Sequence, residues 1–301
     1  MQVYGRINPV VFYLNSPTKP QTKRESKTVR YFYFFNNDEH TFVIHESSMD
    51  ISIEIILFLF AVAAIASYID VLAGGGGLLT IPALIIAGLP PLTALGTNKF
   101  QSSIGTGSVV LFLTKRDRLP WAELKGLFTA SFLGSLIGAF AVQIIDTNAI
   151  NIIIPIVLVC IAGYTLASPY LKLSSEQPKI SHKAYKQFIV PIIGLYDGMF
   201  GPGTGSFFAT AGVALRAKTL IQSVTEAKAL NLASNVAALI IFASLGQVAW
   251  LYGLAMIAGQ LIGANLGARS LLKIRVNLLR YLIVGMSLTM LARYIYQTFS
   301  V

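Results

Sequence analysis

Two aspartates, each followed at the same spacing by a glycine-rich run, are the residues best placed to do chemistry in this chain. The first run reads Asp70-Val71-Leu72-Ala73-Gly74-Gly75-Gly76-Gly77, the second Asp197-Gly198-Met199-Phe200-Gly201-Pro202-Gly203-Thr204-Gly205. Each closes one apolar segment and opens a shorter one. A helix that starts after such a break presents unpaired N–H groups and a partial positive charge, which suits an anion. Glycine lets the backbone approach a ligand with no Cβ in the way. The backbone of Gly75, Gly76 and Gly77, and of Gly203, Thr204 and Gly205, is therefore the first candidate binding surface. Tight helix crossing would also use glycine, but a proline inside a close-packing row is unusual, and the second run contains Pro202.

Polar side chains recur in the long segment after each break. The first half carries Thr97, Asn98, Lys99 and Gln101, and the second carries Lys228, Asn231 and Asn235. Ionisable groups inside a span usually face a pathway or a partner. Lys228 lies too deep in its segment to snorkel easily to the surface, whereas Lys99 sits close enough to an end to do so. Asn231 and Asn235 follow Lys228 on roughly the same helix face. Setting Asn98 against Lys228 and Gln101 against Asn231 gives a cation with amide donors around an anion. Alternatively, Lys228 neutralises Asp197 or Glu226. Asp70 and Asp197 admit three roles: capping the short helix, which we favour because a carboxylate would repel an anion, carrying a coupling proton, or binding a cation.

These groups must be held by membrane helices. The chain has 301 residues, 54% hydrophobic and 12% charged, where soluble domains carry about 25% charged residues. Apolar segments fall at roughly 51–73, 77–89, 93–114, 121–145 and 149–171, and again at 187–200, 204–215, 219–246, 249–270 and 276–299. Asp70 matches Asp197 at an offset of 127, and Trp121 matches Trp250 at 129. The row Ala130, Gly134, Gly138 matches Gly259, Gly263, Gly267, also at 129, as expected of a face where helices pack closely. The net charge is +10; its bases sit in short loops, which points to cytoplasmic loops rather than nucleic acid. Equivalent loops differ in charge. Lys115-Arg116-Asp117-Arg118 precedes Trp121, whereas the stretch before Trp250 is uncharged and Arg269, Lys273 and Arg275 follow it. Equivalent loops thus lie on opposite sides, and the two halves are inverted, with residue 50 and the C-terminus outside.

The expected organisation is a polar N-terminal extension over 1–48, membrane repeats over 49–172 and 187–301, and a cytoplasmic linker over 173–186. Met49 opens an apolar start and is a candidate true initiation site, which would make 1–48 a gene-model artefact. The fold class is all-α integral membrane: two inverted-topology repeats, about eight transmembrane helices, and short or re-entrant half-helices after the breaks. No cofactor or metal is expected, since Cys160 is alone and the three histidines lie outside the apolar spans. With no histidine in a span to act as general base, an enzyme is not expected.

Together these segments resemble the TauE/SafE family of membrane transporters. The resemblance covers about 51–299 and is carried by Ala73 to Gly77, Gly88 to Asn98, Tyr196 to Gly205 and Lys228 to Asn235. It implies an inner-membrane protein of two helical repeats that moves small sulfur-containing anions, usually outward, without fixing the substrate. The expectation is a secondary transporter exporting sulfite or an organosulfonate by alternating access, in contact with lipid and with no nucleic-acid partner; oligomeric state is open. The alternatives are an anion channel or a membrane protein of sulfur metabolism moving another small anion.

Overall fold

The computed structural model describes residues 28–29, 49–50, 52–146, 149–150, part of 153–163, and 177–270. The 1–48 extension, apart from a two-residue antiparallel pairing of Thr28–Val29 with Met49–Asp50, lies outside the described residues. So do the expected last segment, 276–299, and much of 149–171.

Helix α1, Ile53–Ala73, starts where Ser52 accepts the Ile55 N–H and stops at Gly74, whose φ of 67° suits glycine. After the first break come α2, Gly77–Ile86, and α3, Pro91–Thr114, which begins on a proline whose missing N–H costs nothing at that position. Helix α4, Trp121–Ala141, runs on into a 3-10 turn, Val142–Ile144. In the second half α5, Val190–Met199, is preceded by the single turn His182–Ala184 and a π-helical turn, Tyr185–Ile189. Then follow α6, Thr204–Arg216, α7, Leu220–Ser244, opened by a Thr219–Gln222 capping box, and α8, Trp250–Ser270.

Among the described residues four helices are long and apolar enough to cross a membrane: Ile53–Leu72, Trp121–Ile144, Leu220–Ser244 and Trp250–Ser270. Helix α3 has 24 residues but falls short in apolarity because Thr97, Asn98, Lys99, Gln101 and Ser103 point inward and are buried. The outer surface is the reverse, with Leu57, Ile65, Ile137, Phe140, Ile240 and Leu254 exposed. A polar interior under an apolar coat is the arrangement a bilayer selects.

The packing crosses between the halves. Helix α1 lies on α8, and α4 lies on α5. A Cβ at Gly263 would overlap the Ala64 carbonyl oxygen and stand 2.9 Å from the Tyr68 nitrogen. A Cβ at Gly134 would likewise overlap the Pro191 oxygen, and one at Gly138 the Leu195 oxygen. Gly134 and Gly263 are 129 positions apart, and their partners Ala64 and Pro191 are 127 apart, so the same close approach occurs twice. Serine hydroxyls tie the central helices together: Ser131 donates to the Leu230 carbonyl at 2.8 Å and Ser135 to that of Ser234 at 2.6 Å.

Candidate functional site

The two glycine breaks touch. Ser206 Oγ donates to the Gly74 carbonyl, and a Cβ on Gly74 would come within 2.6 Å of the Gly205 carbonyl carbon. A Cβ on Gly77 would meet Pro202 Cα at 3.2 Å. Only backbone without side chains can cross this closely, which is why the breaks are built of glycine. Helices α2 and α6 therefore begin side by side.

Each aspartate meets a lysine from the other half. Asp70 Oδ1 accepts the Gly75 N–H at 2.9 Å and the Gly76 N–H at 3.1 Å. Its Oδ2 accepts from Lys228 Nζ at 2.9 Å, and Lys228 also donates to the Asp70 carbonyl. Asp197 Oδ1 lies 2.9 Å from Lys99 Nζ and accepts the Thr204 hydroxyl at 2.7 Å. The partner of Lys228 is thus Asp70, not Asp197 or Glu226; Glu226 is held by Lys218 at 2.5 Å. Nor does Lys99 snorkel: its side chain is 1% exposed, as is that of Asp197.

Beside the breaks lies a polar cavity of about 20 Å³, room for little more than one water molecule. Of the residues expected at a binding site, Gly76, Gly77, Asn98, Gly203, Thr204, Gly205, Asn231 and Asn235 line it, together with Asp70 and Asp197. Asn98 Oδ1 accepts Thr80 Oγ1 at 2.5 Å and Gln101 Nε2 at 2.8 Å, which turns its amide nitrogen away from those partners. Asn231 Oδ1 accepts Asn235 Nδ2 at 3.0 Å. The remaining four stand behind the wall. Gly75 and Lys228 serve Asp70, Gln101 serves Asn98, and Thr97 accepts the Ala249 N–H at 2.9 Å.

Ser102, Thr106, Gly201 and Gln260 also line the cavity, and sequence reasoning missed them. A signal existed for the first two. At the offset of 129 that relates the tryptophans and the glycine rows, Lys99 falls on Lys228, Ser102 on Asn231 and Thr106 on Asn235. The expected alignment set Asn98 against Lys228 instead, an offset of 130. Among the described residues no three His, Cys, Asp or Glu side chains gather as a metal site would need.

The two half-helices differ in one respect that bears on binding. The N-terminus of α2 is occupied by the Asp70 carboxylate, while α6 starts from Gly203 at φ 78°, a cap residue with no side chain, and its first residue Thr204 donates its hydroxyl to Asp197. The Asp70 carboxylate takes backbone N–H groups at its helix start, whereas Asp197 takes the Thr204 hydroxyl. The α6 start faces the cavity through Gly203, Thr204 and Gly205.

Residues 59–294 match the family described as sulfite exporter TauE/SafE. The chain is 38% identical over 248 residues to a probable membrane transporter protein of Haemophilus influenzae, covering 82% of this chain and 97% of that one. It is 37% identical over 244 residues to the probable membrane transporter protein ORF9 of a Sinorhizobium species, covering 81% and 94%. To the probable membrane transporter protein YfcA of Escherichia coli K12 it is 38% identical over 240 residues, covering 80% and 89%. No solved structure matches the chain.

Proposed function

The chain belongs to the sulfite exporter TauE/SafE family of membrane transporters, and on that premise we propose that it carries a small sulfur-containing anion, sulfite or an organosulfonate, out of the cell as a secondary transporter. One observation carries the proposal. Two half-helices start side by side at a polar cavity, and Gly203, Thr204 and Gly205 at the start of one of them line it. The N-terminus of that half-helix supplies about half a positive charge. Asn98, Asn231, Asn235, Ser102, Thr106 and Gln260 surround it with amide and hydroxyl groups suited to sulfonate oxygens. Asp70, Gly75 and Lys228 hold the neighbouring half-helix in place, and Thr97 and Gln101 steady the helix that carries Asn98.

The mechanism is alternating access between two inverted repeats, 49–172 and 187–301, joined by a cytoplasmic linker at 173–186 in a multi-pass protein of the inner membrane. Support comes from contacts that recur at offsets of 127 and 129, with α1 on α8 answering α5 on α4. The cavity at about 20 Å³ is too small for a sulfonate, so binding requires it to widen. Rocking of one crossed helix pair against the other would open it to each side in turn.

A binding screen by thermal shift, followed by efflux from proteoliposomes, tests the proposal with sulfite, sulfate, thiosulfate, sulfoacetate, taurine and chloride. Selective stabilisation and efflux of one sulfur anion is the expected result. A cooperative melt that none of these anions moves, with no flux, refutes it.

A further inference from the structure

Asp70 and Asp197 occupy matching places in the two halves but keep different company. Asp70 has both oxygens satisfied, one by two backbone N–H groups and the other by Lys228. At the offset of 127 the residue answering Gly75 is Pro202, and proline has no N–H to give. Asp197 therefore lacks the backbone cap. Among the described residues its Oδ2 is buried without a hydrogen-bond partner, on a residue that lines the cavity. Lys99 Nζ reaches Oδ1 as an ion pair, in poor hydrogen-bond geometry, and likewise has no hydrogen-bond partner. A buried carboxylate oxygen with nothing to accept is costly as an anion.

The charged groups around Asp197 are few. Lys99 comes from α3, and on the cavity wall Asp70 of α1 is already tied to Lys228 of α7. Helix α4 meets α5 with Ser131 and Ser135, and α6 offers Thr204, none of them titratable in this range. On α5 itself Tyr196 donates its hydroxyl to the Pro202 carbonyl. The stretch 149–163, whose Ile161 lies against Gly203, carries Cys160 as its single titratable side chain. With the cavity empty the Lys99–Asp197 pair is neutral. An anion entering beside it adds a buried charge with no counter-charge, which is strongly unfavourable. A proton on Asp197 restores the balance and leaves Lys99 to offset the guest.

Building on the anion-transporter reading, we propose that Asp197 is the proton site of this protein, ionised while the cavity is empty and taking up one proton for each monoanion bound. The proton forms an O–H bond at Oδ2, comes from the same aqueous side as the anion, and leaves with it on the other side. Proton and anion then favour each other's binding and travel in the same direction. The loaded step carries no net charge, so the membrane potential does no work on it, and the anion gradient and the proton gradient together set the direction of transport.

The test uses the full chain in detergent and methanesulfonate, which stays a monoanion at every working pH. Titration calorimetry of the wild type is expected to show affinity rising about tenfold per unit fall in pH, with one proton taken up from weakly buffered solution per anion bound. This second readout needs no variant. Asp197→Asn, with a lower melting temperature because Lys99 loses its partner, is expected to bind with no pH dependence and no proton uptake. A wild-type affinity flat with pH and no proton uptake overturns the proposal, as does an Asp197→Asn variant that keeps the slope. A wild type that binds no sulfonate at any pH refutes the anion reading instead. Infrared difference spectra with and without methanesulfonate locate the proton: a protonated-carboxyl band that appears on binding and is absent from Asp197→Asn keeps the site, and a band unchanged in that variant discards it.

Discussion

Removing the two buried lysines one at a time should destabilise the protein unequally, and the structure fixes the order. Lys228→Met leaves the Asp70 carboxylate with its Gly75 and Gly76 N–H donors and with 22% of its side chain exposed. The loss is then mainly the charge-assisted bond to Oδ2, roughly 1.5–3 kcal/mol, because the Asp70 carbonyl that Lys228 also reaches keeps the Gly74 N–H at 2.9 Å. Lys99→Met leaves Asp197, 1% exposed, with the Thr204 hydroxyl as its one donor. An uncompensated buried charge costs about 3–5 kcal/mol. The difference is about 2 kcal/mol, or roughly 4–8 °C in melting temperature for a protein of this size. Thermal unfolding of each variant in one detergent at one pH measures it. Lys99→Met combined with Asp197→Leu should recover most of the loss, because removing both charges removes the penalty. Equal losses, or a larger loss from Lys228→Met, would refute the claim that Asp70 is independently capped and Asp197 is not.

Other outcomes follow from single contacts. Gly138→Ala and Gly263→Ala each drive a Cβ into a backbone carbonyl oxygen of the facing helix and should cost at least about 1–3 kcal/mol; melting temperatures near that of the wild type would contradict the close crossing. Thr219→Ala removes the hydroxyl that accepts the Gln222 N–H at 3.3 Å and should cost about 1 kcal/mol, read from the same melts and recovered by Thr219→Ser. Cys160 is exposed, and Cys160→Ser should leave sulfite efflux from proteoliposomes unchanged; loss of flux in a folded variant would bring sulfur chemistry back.

The helices were legible because apolar length and glycine or proline punctuation are local signals. The segments read at 77–89, 204–215 and 249–270 became Gly77–Ile86, Thr204–Arg216 and Trp250–Ser270. What sequence spacing hid was the partnering. Helix-helix crossing decides which lysine meets which aspartate, and both ion pairs join opposite halves, 158 positions apart for Lys228 and Asp70. A search among nearby carboxylates, such as Glu226, could not find that partner. The second failure was one of register. An α-helix turns by about 100° per residue, so setting Asn98 rather than Lys99 against Lys228 turned the comparison from Ser102, which lines the cavity, to Gln101, which does not. It paired Gln101 with Asn231 and passed over Ser102 and Thr106. Pro202 was visible throughout as a departure from Gly75, but its consequence depends on knowing that Gly75 donates to Asp70. A missing N–H means something only once the group that would have received it is known, and here that group is a buried carboxylate oxygen at the substrate cavity.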